Sequence, residues 1–254
     1  LSLAPSAQVL NESVEPHYWS LALRPNGNVF VGSGNEGRLY SVTPSGEATV
    51  IIDSNQLQVH ALINDHRGNL YAATSPDGVI YRVDPEGNQQ VFFDPEDRYV
   101  WSLAVDSRNN LIVGTGDDAI IYRISPNGQE EILFTSEETH IVSLAIDKTD
   151  NIFAGTEPNG LVLKVTSNGS TTVAYDTPFQ EVRAVVTDSS GNLFAATVNN
   201  TDNPGTTTTV TSPTISPLST TSVDPMISTG LITSNNTTVV ANSISGALKG
   251  SVYR

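Results

Sequence analysis

Ser102-Leu103-Ala104-Val105-Asp106, then Asn110-Leu111-Ile112-Val113-Gly114-Thr115, then Ile121-Tyr122-Arg123-Ile124 is the stretch that decides the fold. Its frame recurs every 41 residues in both directions. Leu21, Leu62, Leu103, Leu144 and Val185 keep that step, as do Asn28, Asn69, Asn110, Asn151 and Asn192. Tyr40, Tyr81, Tyr122 and Leu163 follow it, and so do Gly46, Gly87, Gly128 and Gly169. Four intervals without an insertion or deletion mark a true internal repeat.

Each unit reads as four short strands. In the second unit these are Val59–Asn64, Asn69–Thr74, Val79–Val83 and Gln89–Phe93, joined at Asp65-His66-Arg67-Gly68, Ser75-Pro76-Asp77-Gly78 and Pro85-Glu86-Gly87. Gly, Asn and Asp at such joints tolerate positive φ and Pro fixes φ, as tight turns between antiparallel strands require. No long segment keeps a 3.6-residue apolar period. The reading is all-β: a β-propeller of four-stranded blades, five of them in this chain. The stretch and its copies resemble the NHL-repeat and gluconolactonase-like propeller superfamily, and look closest to bacterial propellers of that group. The resemblance covers residues 1–200 and the last few residues. No Trp-Asp dipeptide closes a strand, which sets the chain apart from WD-repeat propellers, and the tryptophan-docking motif of quinone-dependent propellers is absent.

The blades are expected at 17–56, 57–98, 99–138, 139–180 and 181–254, making one domain of residues 1–254. In the last unit the third strand, Gly250-Ser251-Val252-Tyr253-Arg254, matches Gly78–Arg82 but stands 49 residues late. A Thr/Ser/Pro-rich insertion over 199–249 accounts for the delay and reads as a flexible loop with a short hairpin around Leu231–Val240. Residues 1–12, with Ala7–Glu12 as the strand, are in register to supply the outer strand of that last blade. Shared strands would close a five-bladed ring and hide its edges; the alternative is a segment of a larger propeller.

Composition narrows function by exclusion. The chain has 254 residues, 12 Lys and Arg against 27 Asp and Glu, and a net charge of −15. An acidic surface repels phosphate, so nucleic acid is not an expected partner. No apolar run reaches the ~18–20 residues of a membrane span, so no membrane insertion is expected. Zero cysteines remove disulfides, thiolate metal sites and thiol nucleophiles. Ser/Thr/Pro-rich stretches are common in exported bacterial proteins, which suggests an extracytoplasmic setting.

Candidate site residues are those that vary within the repeating frame. The residue opening strand one is Trp19, His60, Trp101, Val142 and Arg183 in turn; two residues earlier stand His17, Gln58, Tyr99, His140 and Glu181. Between them lie Tyr18, Val59, Val100, Ile141 and Val182, which are expected to pack. The proposed channel-mouth set is therefore Trp19, His60, Trp101, Arg183, His17, Tyr99, His140 and Glu181, aromatic and titratable groups facing one concavity. A second set, Glu36, Asp77, Asp117, Asp118 and Glu157, lies in the loops between strands two and three. Carboxylates there could hold Ca²⁺, although Pro-Asp-Gly and Pro-Asn-Gly are ordinary turn sequences and no other cofactor is expected. Asp65, Asp106, Asp147 and Asp188, each with an Asn four positions on, read as turn caps.

The leading functional expectation is a non-catalytic binding or scaffold propeller that takes a protein, peptide or glycan at the channel mouth. Alternatives are a divalent-metal-dependent lactonase and an architectural part of a larger surface assembly. In gluconolactonase-like enzymes, the resemblance implies, oxygen ligands at the inner-strand starts hold the metal. Here those positions carry Trp19, His60, Trp101, Val142 and Arg183, with Glu181 the only carboxylate nearby, so no ligand set carries over. A lyase using His60 or His140 for general acid–base work is a further enzymatic reading.

Overall fold

A computed structural model describes residues 9–12, 17–95, 99–199, 229–234, 237–242 and 250–253. The first blade is β1 (Tyr18–Leu23), β2 (Val29–Ser33), β3 (Arg38–Val42) and β4 (Ala48–Asp53). The second is β5 (Gln58–Asn64), β6 (Leu70–Ser75), β7 (Ile80–Val83) and β8 (Gln89–Phe93). The third is β9 (Val100–Val105), β10 (Leu111–Thr115), β11 (Ile120–Ile124) and β12 (Glu130–Thr135). The fourth is β13 (His140–Ile146), β14 (Ile152–Glu157), β15 (Leu161–Val165) and β16 (Thr171–Asp176). Each is an antiparallel sheet with its strands in chain order. The fifth holds β17 (Glu181–Thr187), β18 (Leu193–Val198) and β21 (Gly250–Tyr253). Tyr253 pairs with Ala195 as Tyr81 pairs with Ala72, so β21 takes the third-strand place. Within the insertion, β19 (Thr229–Ser234) and β20 (Thr237–Asn242) form a hairpin with Leu231 opposite Val240. The rest of the expected flexible insertion, residues 200–228, 235–236 and 243–249, lies outside the described residues. The described residues contain no helix, hence none long and apolar enough to cross a membrane.

The core is a series of layers between blades, one per joint. Phe30, Leu39 and Ile52 of blade one pack on Val59, Leu70 and Val83 of blade two. Ile80 and Phe93 meet Val100, Leu111 and Ile124, while Ile121 and Leu133 meet Ile141 and Ile152. A smaller layer joins Val162 to Val182, Val185 and Ala195. Such continuous apolar runs suit strands covered on both faces. Two small devices set the spacing. Ser20, Ser102 and Ser143 donate Oγ–H to the carbonyls of Val59, Ile141 and Val182 on the next blade, at 2.9, 3.0 and 2.9 Å. Beside them Gly32, Gly114 and Gly155 leave no room for a methyl group: a Cβ on Gly155 would stand 2.6 Å from the Val182 oxygen.

Inner strands pack in succession, β1 on β5, β5 on β9, β9 on β13 and β13 on β17, and no comparable packing joins β17 to β1. The described blades thus form an arc. Val59, Val100, Ile141 and Val182 are each 0% exposed, but Tyr18 at the same register is 45% exposed, with no described blade behind it. The expectation that all five pack therefore holds for four. Most of the expected outer strand, Ala7–Glu12, can be judged only at residues 9–12, which carry no strand. Even so, the Leu10 carbonyl abuts Gly46 as the Leu133 carbonyl abuts Gly169, one blade-register equivalent to the other, and Asn11 donates Nδ2–H to the Gly46 carbonyl at 2.9 Å.

The repeated aspartates cap their turns. Asp65, Asp106, Asp147 and Asp188 each accept from two backbone N–H groups and from the Asn four positions on, at 2.7–2.9 Å. Burial pushes the Asp147 carboxyl up, but the bonds from Asn151 and Thr149 outweigh it and hold it below its ordinary value. Folded Asp147 therefore releases its proton more readily than the unfolded chain does. Its stabilisation is complete above the ordinary aspartate value and is lost as pH falls through the lower folded one. Asp147→Ala should cost about 1–2 kcal/mol near neutral pH and progressively less as the pH falls below the ordinary aspartate value, read from urea melts across that range.

Candidate functional site

The geometry of the site begins with a break in register. In every blade the pairing of the first two strands skips one residue: Trp19, His60, Trp101, Val142 and Arg183. Each is the extra residue of a β-bulge, left out of the ladder and turned by the local twist. The fold thus presents five residues outside the ladder at one end of the inner strands, and the sequence has made them different.

Three of these bulge residues, Trp19, His60 and Trp101, form one continuous row of rings with His17, Tyr99 and His140. His17 lies 5.9 Å from Trp19 between ring centroids, Trp19 lies 5.9 Å from His60, and His60 meets Trp101 edge-on at 4.8 Å. Tyr99 stacks on Trp101 at 5.5 Å and His140 meets its other side at 5.6 Å. Offset and edge-to-face pairs at these separations are favourable arrangements for π systems. The fifth position supplies charge: Arg183 Nη1 pairs with Glu181 Oε1 at 2.9 Å. The structure therefore brings all eight expected channel-mouth residues into one neighbourhood, with Trp19 half-exposed and Trp101 less so.

Hydrogen bonds fix part of this row. His140 Nδ1 accepts from Trp101 Nε1–H at 3.3 Å and from the Asp117 backbone N–H at 3.4 Å. A neutral His140 accepting there carries its proton on Nε2. His60 differs, since its Nδ1 is buried with no partner. Burial, helped by the nearby Arg183 charge, lowers its pKa below the ordinary histidine value. The unfolded chain then binds a proton that native His60 refuses, so stability falls as pH drops from about 6.5 toward the folded value. Trp19 and Trp101 are the only tryptophans and both touch His60. Because His17 and His140 also touch these indoles, the test is a difference: acidification should show a quenching component with a midpoint below the ordinary histidine value, and His60→Gln should remove that component alone in a fluorescence titration.

Two glycines that the sequence reading passed over complete the row. A Cβ on Gly34 would stand 2.2 Å from Trp19 Nε1, and one on Gly116 would stand 2.3 Å from Trp101 Nε1 and 2.8 Å from His140 Nδ1. The same register holds Ser75, Glu157 and Val198 in the other units. Glycine therefore appears only where an indole lies over the backbone, a signal present in the aligned repeat. Glu138 was also missed. It is buried and accepts from Thr156 Oγ1–H, Asn159 N–H and Asn159 Nδ2–H at 3.1, 2.9 and 2.8 Å, tying down the loop after β14. Gln56 does the same for Asp77.

The second set of carboxylates is spread around the rim instead of converging. Glu36 pairs with Arg38. Asp77 accepts from Gln56 Nε2–H at 2.9 Å. Asp117 and Asp118 sit exposed in one turn, and Glu157 lies opposite His140 in the strand register. Among the described residues no three His, Asp or Glu side chains are placed to share an ion. The donor set among the described residues does not fit the metal centre that a lactonase of this fold would need.

The fold is a β-propeller, and solved propeller structures are its neighbours. Virginiamycin B lyase from Staphylococcus aureus, as a catalytically inactive histidine-to-alanine variant with quinupristin, superposes with a TM-score of 0.65 over 97% of this chain and 98% of that one, at 10% identity. A streptogramin B lyase matches at 0.64 and 12% identity over 73% of this chain; the match spans 64% of that protein's length, under two thirds of it. The nidogen chain of a nidogen/laminin complex gives 0.59 and 18% identity over 71% and 72% of the two chains. A putative gluconolactonase gives 0.56 and 20% over 70% of each. No protein-family model and no curated protein matches the sequence. Identities this low speak to architecture alone.

Proposed function

We propose that the channel mouth recognises a peptide or protein segment carrying aromatic and basic side chains, in an extracytoplasmic setting. The observation that carries this reading is the unbroken row His17–Trp19–His60–Trp101–His140, with Tyr99 stacked on it. Trp, Tyr and Arg are the residues that anchor protein recognition, because they combine large contact area with a polar handle. Exposed Glu36, Asp77, Asp117 and Asp118 rim the row, which favours cations over the ring faces and in the surrounding field. The nidogen/laminin complex supplies a precedent for a protein partner on this architecture.

A tryptophan-free peptide pool pairing Phe or Tyr with Lys or Arg tests the proposal by titration against intrinsic emission. Saturable change is expected, weakening with salt and absent when Glu replaces the basic residues. No saturable change with either pool would overturn it.

One observation favours a second reading. Burial lowers the His60 pKa, which favours the neutral imidazole that a general base needs, and a lyase of this shape is catalytically inactive as a histidine-to-alanine variant. Incubation with quinupristin, followed by mass spectrometry, separates the two. A product formed by the native chain and not by His60→Ala would favour the lyase.

A further inference from the structure

The repeat breaks one of its own rules at Arg24. Counting in steps of 41, Arg24 stands where the other four units place the capping aspartates Asp65, Asp106, Asp147 and Asp188. The partner of the cap is still present, since Asn28 aligns with Asn69. The first turn therefore makes do with Asn26, whose Oδ1 accepts from the Asn28 N–H at 3.0 Å. A charge opposite in sign to the repeated residue, in a chain of net charge −15, calls for a separate explanation.

Arg24 reaches to the next blade. Its Nη2 donates to the Gly68 and Asp84 carbonyls, both at 3.3 Å, and its guanidinium lies 4.8 Å from the Phe30 ring centroid. Those contacts fix the plane of the group. None of them neutralises it: among the described residues neither Arg24 nor Arg67 has a carboxylate ion-pair partner, and Arg24 Nη1 makes no hydrogen bond. Arg24 Nε and Asn64 Oδ1 are buried without partners as well.

These groups line a groove of about 430 Å³ between the turns that follow β1 and β5, at the end of the strands opposite the row of rings. Arg24, His66 and Arg67 supply donors, while Leu23, Pro25 and Pro85 supply apolar walls. Leu23 is 67% exposed. Asp65 also borders the groove, but it is buried and its oxygens accept from Arg67 N–H, Asn69 N–H and Asn69 Nδ2–H. The volume is in the range of small-molecule sites. A pre-oriented guanidinium with an unbonded Nη1 is a group that recognises planar or tetrahedral oxyanions.

We propose that this groove binds a small organic oxyanion: the carboxylate or phosphate lies on Arg24 and Arg67, and an apolar body lies against Leu23 and the two prolines. The site is independent of the channel mouth. Phenyl phosphate and benzoate are the probes, phenol the neutral control, and the readouts are the melting temperature and the Arg24 Nε–Hε NMR resonance at constant ionic strength. One or both anions should raise the melting temperature saturably and shift that resonance, with phenol inert; which anion does so identifies the headgroup. Arg24→Asp restores the aspartate–asparagine cap of the other blades, so it should fold, and it should abolish the response. Arg67→Gln should weaken the response several-fold and serves as the reporter if Arg24→Asp does not fold. Equal responses in the variants, or no saturable response in the native chain, would overturn the proposal and leave Arg24 as a tie between turns.

Discussion

Gly114→Val should destabilise the protein by about 3 kcal/mol or more, the upper part of the range for overpacking a closed interior. The reason is the blade joint. A Cβ at Gly114 would meet Ser102 Oγ at 2.5 Å and Ile141 Cγ2 at 2.6 Å, and both neighbours are buried in the layer between the third and fourth blades. Neither can move away cheaply, because Ser102 is bonded to the Ile141 carbonyl. The blades would have to separate, opening the layer of Ile112, Ile121, Ile141 and Ile152. A domain of this size loses about 2–4 °C per kcal/mol, so the melting temperature should fall by roughly 6–12 °C. Gly87→Val, where no atom lies within 4 Å of the added Cβ, is not a neutral control, because its φ of +93° penalises any side chain. Ala73→Gly is the better comparison: it should change the joint between blades two and three far less. Equal melting temperatures for Gly114→Val and the native chain would contradict the joint.

Gly116→Ala should have the second large effect, and it should fall on the site instead of the fold. The added methyl would occupy the place of Trp101 Nε1 and crowd His140 Nδ1. The indole can swing outward, since it lies at the edge of the concavity, so the stability loss should stay near 1 kcal/mol. The ring row, however, would be cut at its centre: the Trp101–His140 hydrogen bond and the Tyr99 stack depend on the same indole. Near-UV circular dichroism should lose most of its tryptophan signal, and peptide binding should weaken at least tenfold, the loss of a buried aromatic anchor being about 2 kcal/mol. Unchanged near-UV signal would mean that the indole does not lie over Gly116.

Much of this was legible in the residues. The 41-residue frame fixes four strands per unit, and the second unit's outer strand falls at Gln89–Phe93 in both readings. The aspartate–asparagine spacing declares its own turn cap, because the chemistry is local. That Trp19, His60, Trp101 and their neighbours gather at one end of the inner strands was legible because those positions vary where the frame repeats. The bulges were not, since a skipped pairing belongs to two strands and leaves no mark in one. Tyr18 was misjudged for a related reason: its side chain is suited to packing, but burial depends on a neighbour that its own segment does not specify. Gly34, Gly116 and Arg24 stood in plain view once the units were aligned. Glycine serves a turn as readily as a close approach, and an arginine at a cap position does not by itself specify what it contacts.

Photo-crosslinking tests the central claim most directly. The basic–aromatic peptide pool, with benzophenone in place of one ring, is irradiated with the native protein and the adducts are mapped by mass spectrometry. The account predicts adducts on Trp19, Tyr99 and Trp101 and on the loops carrying Glu36 and Asp117. Adducts confined to the exposed face of the first blade, at Tyr18, Leu21 and Leu23, would contradict it and make that face the binding surface.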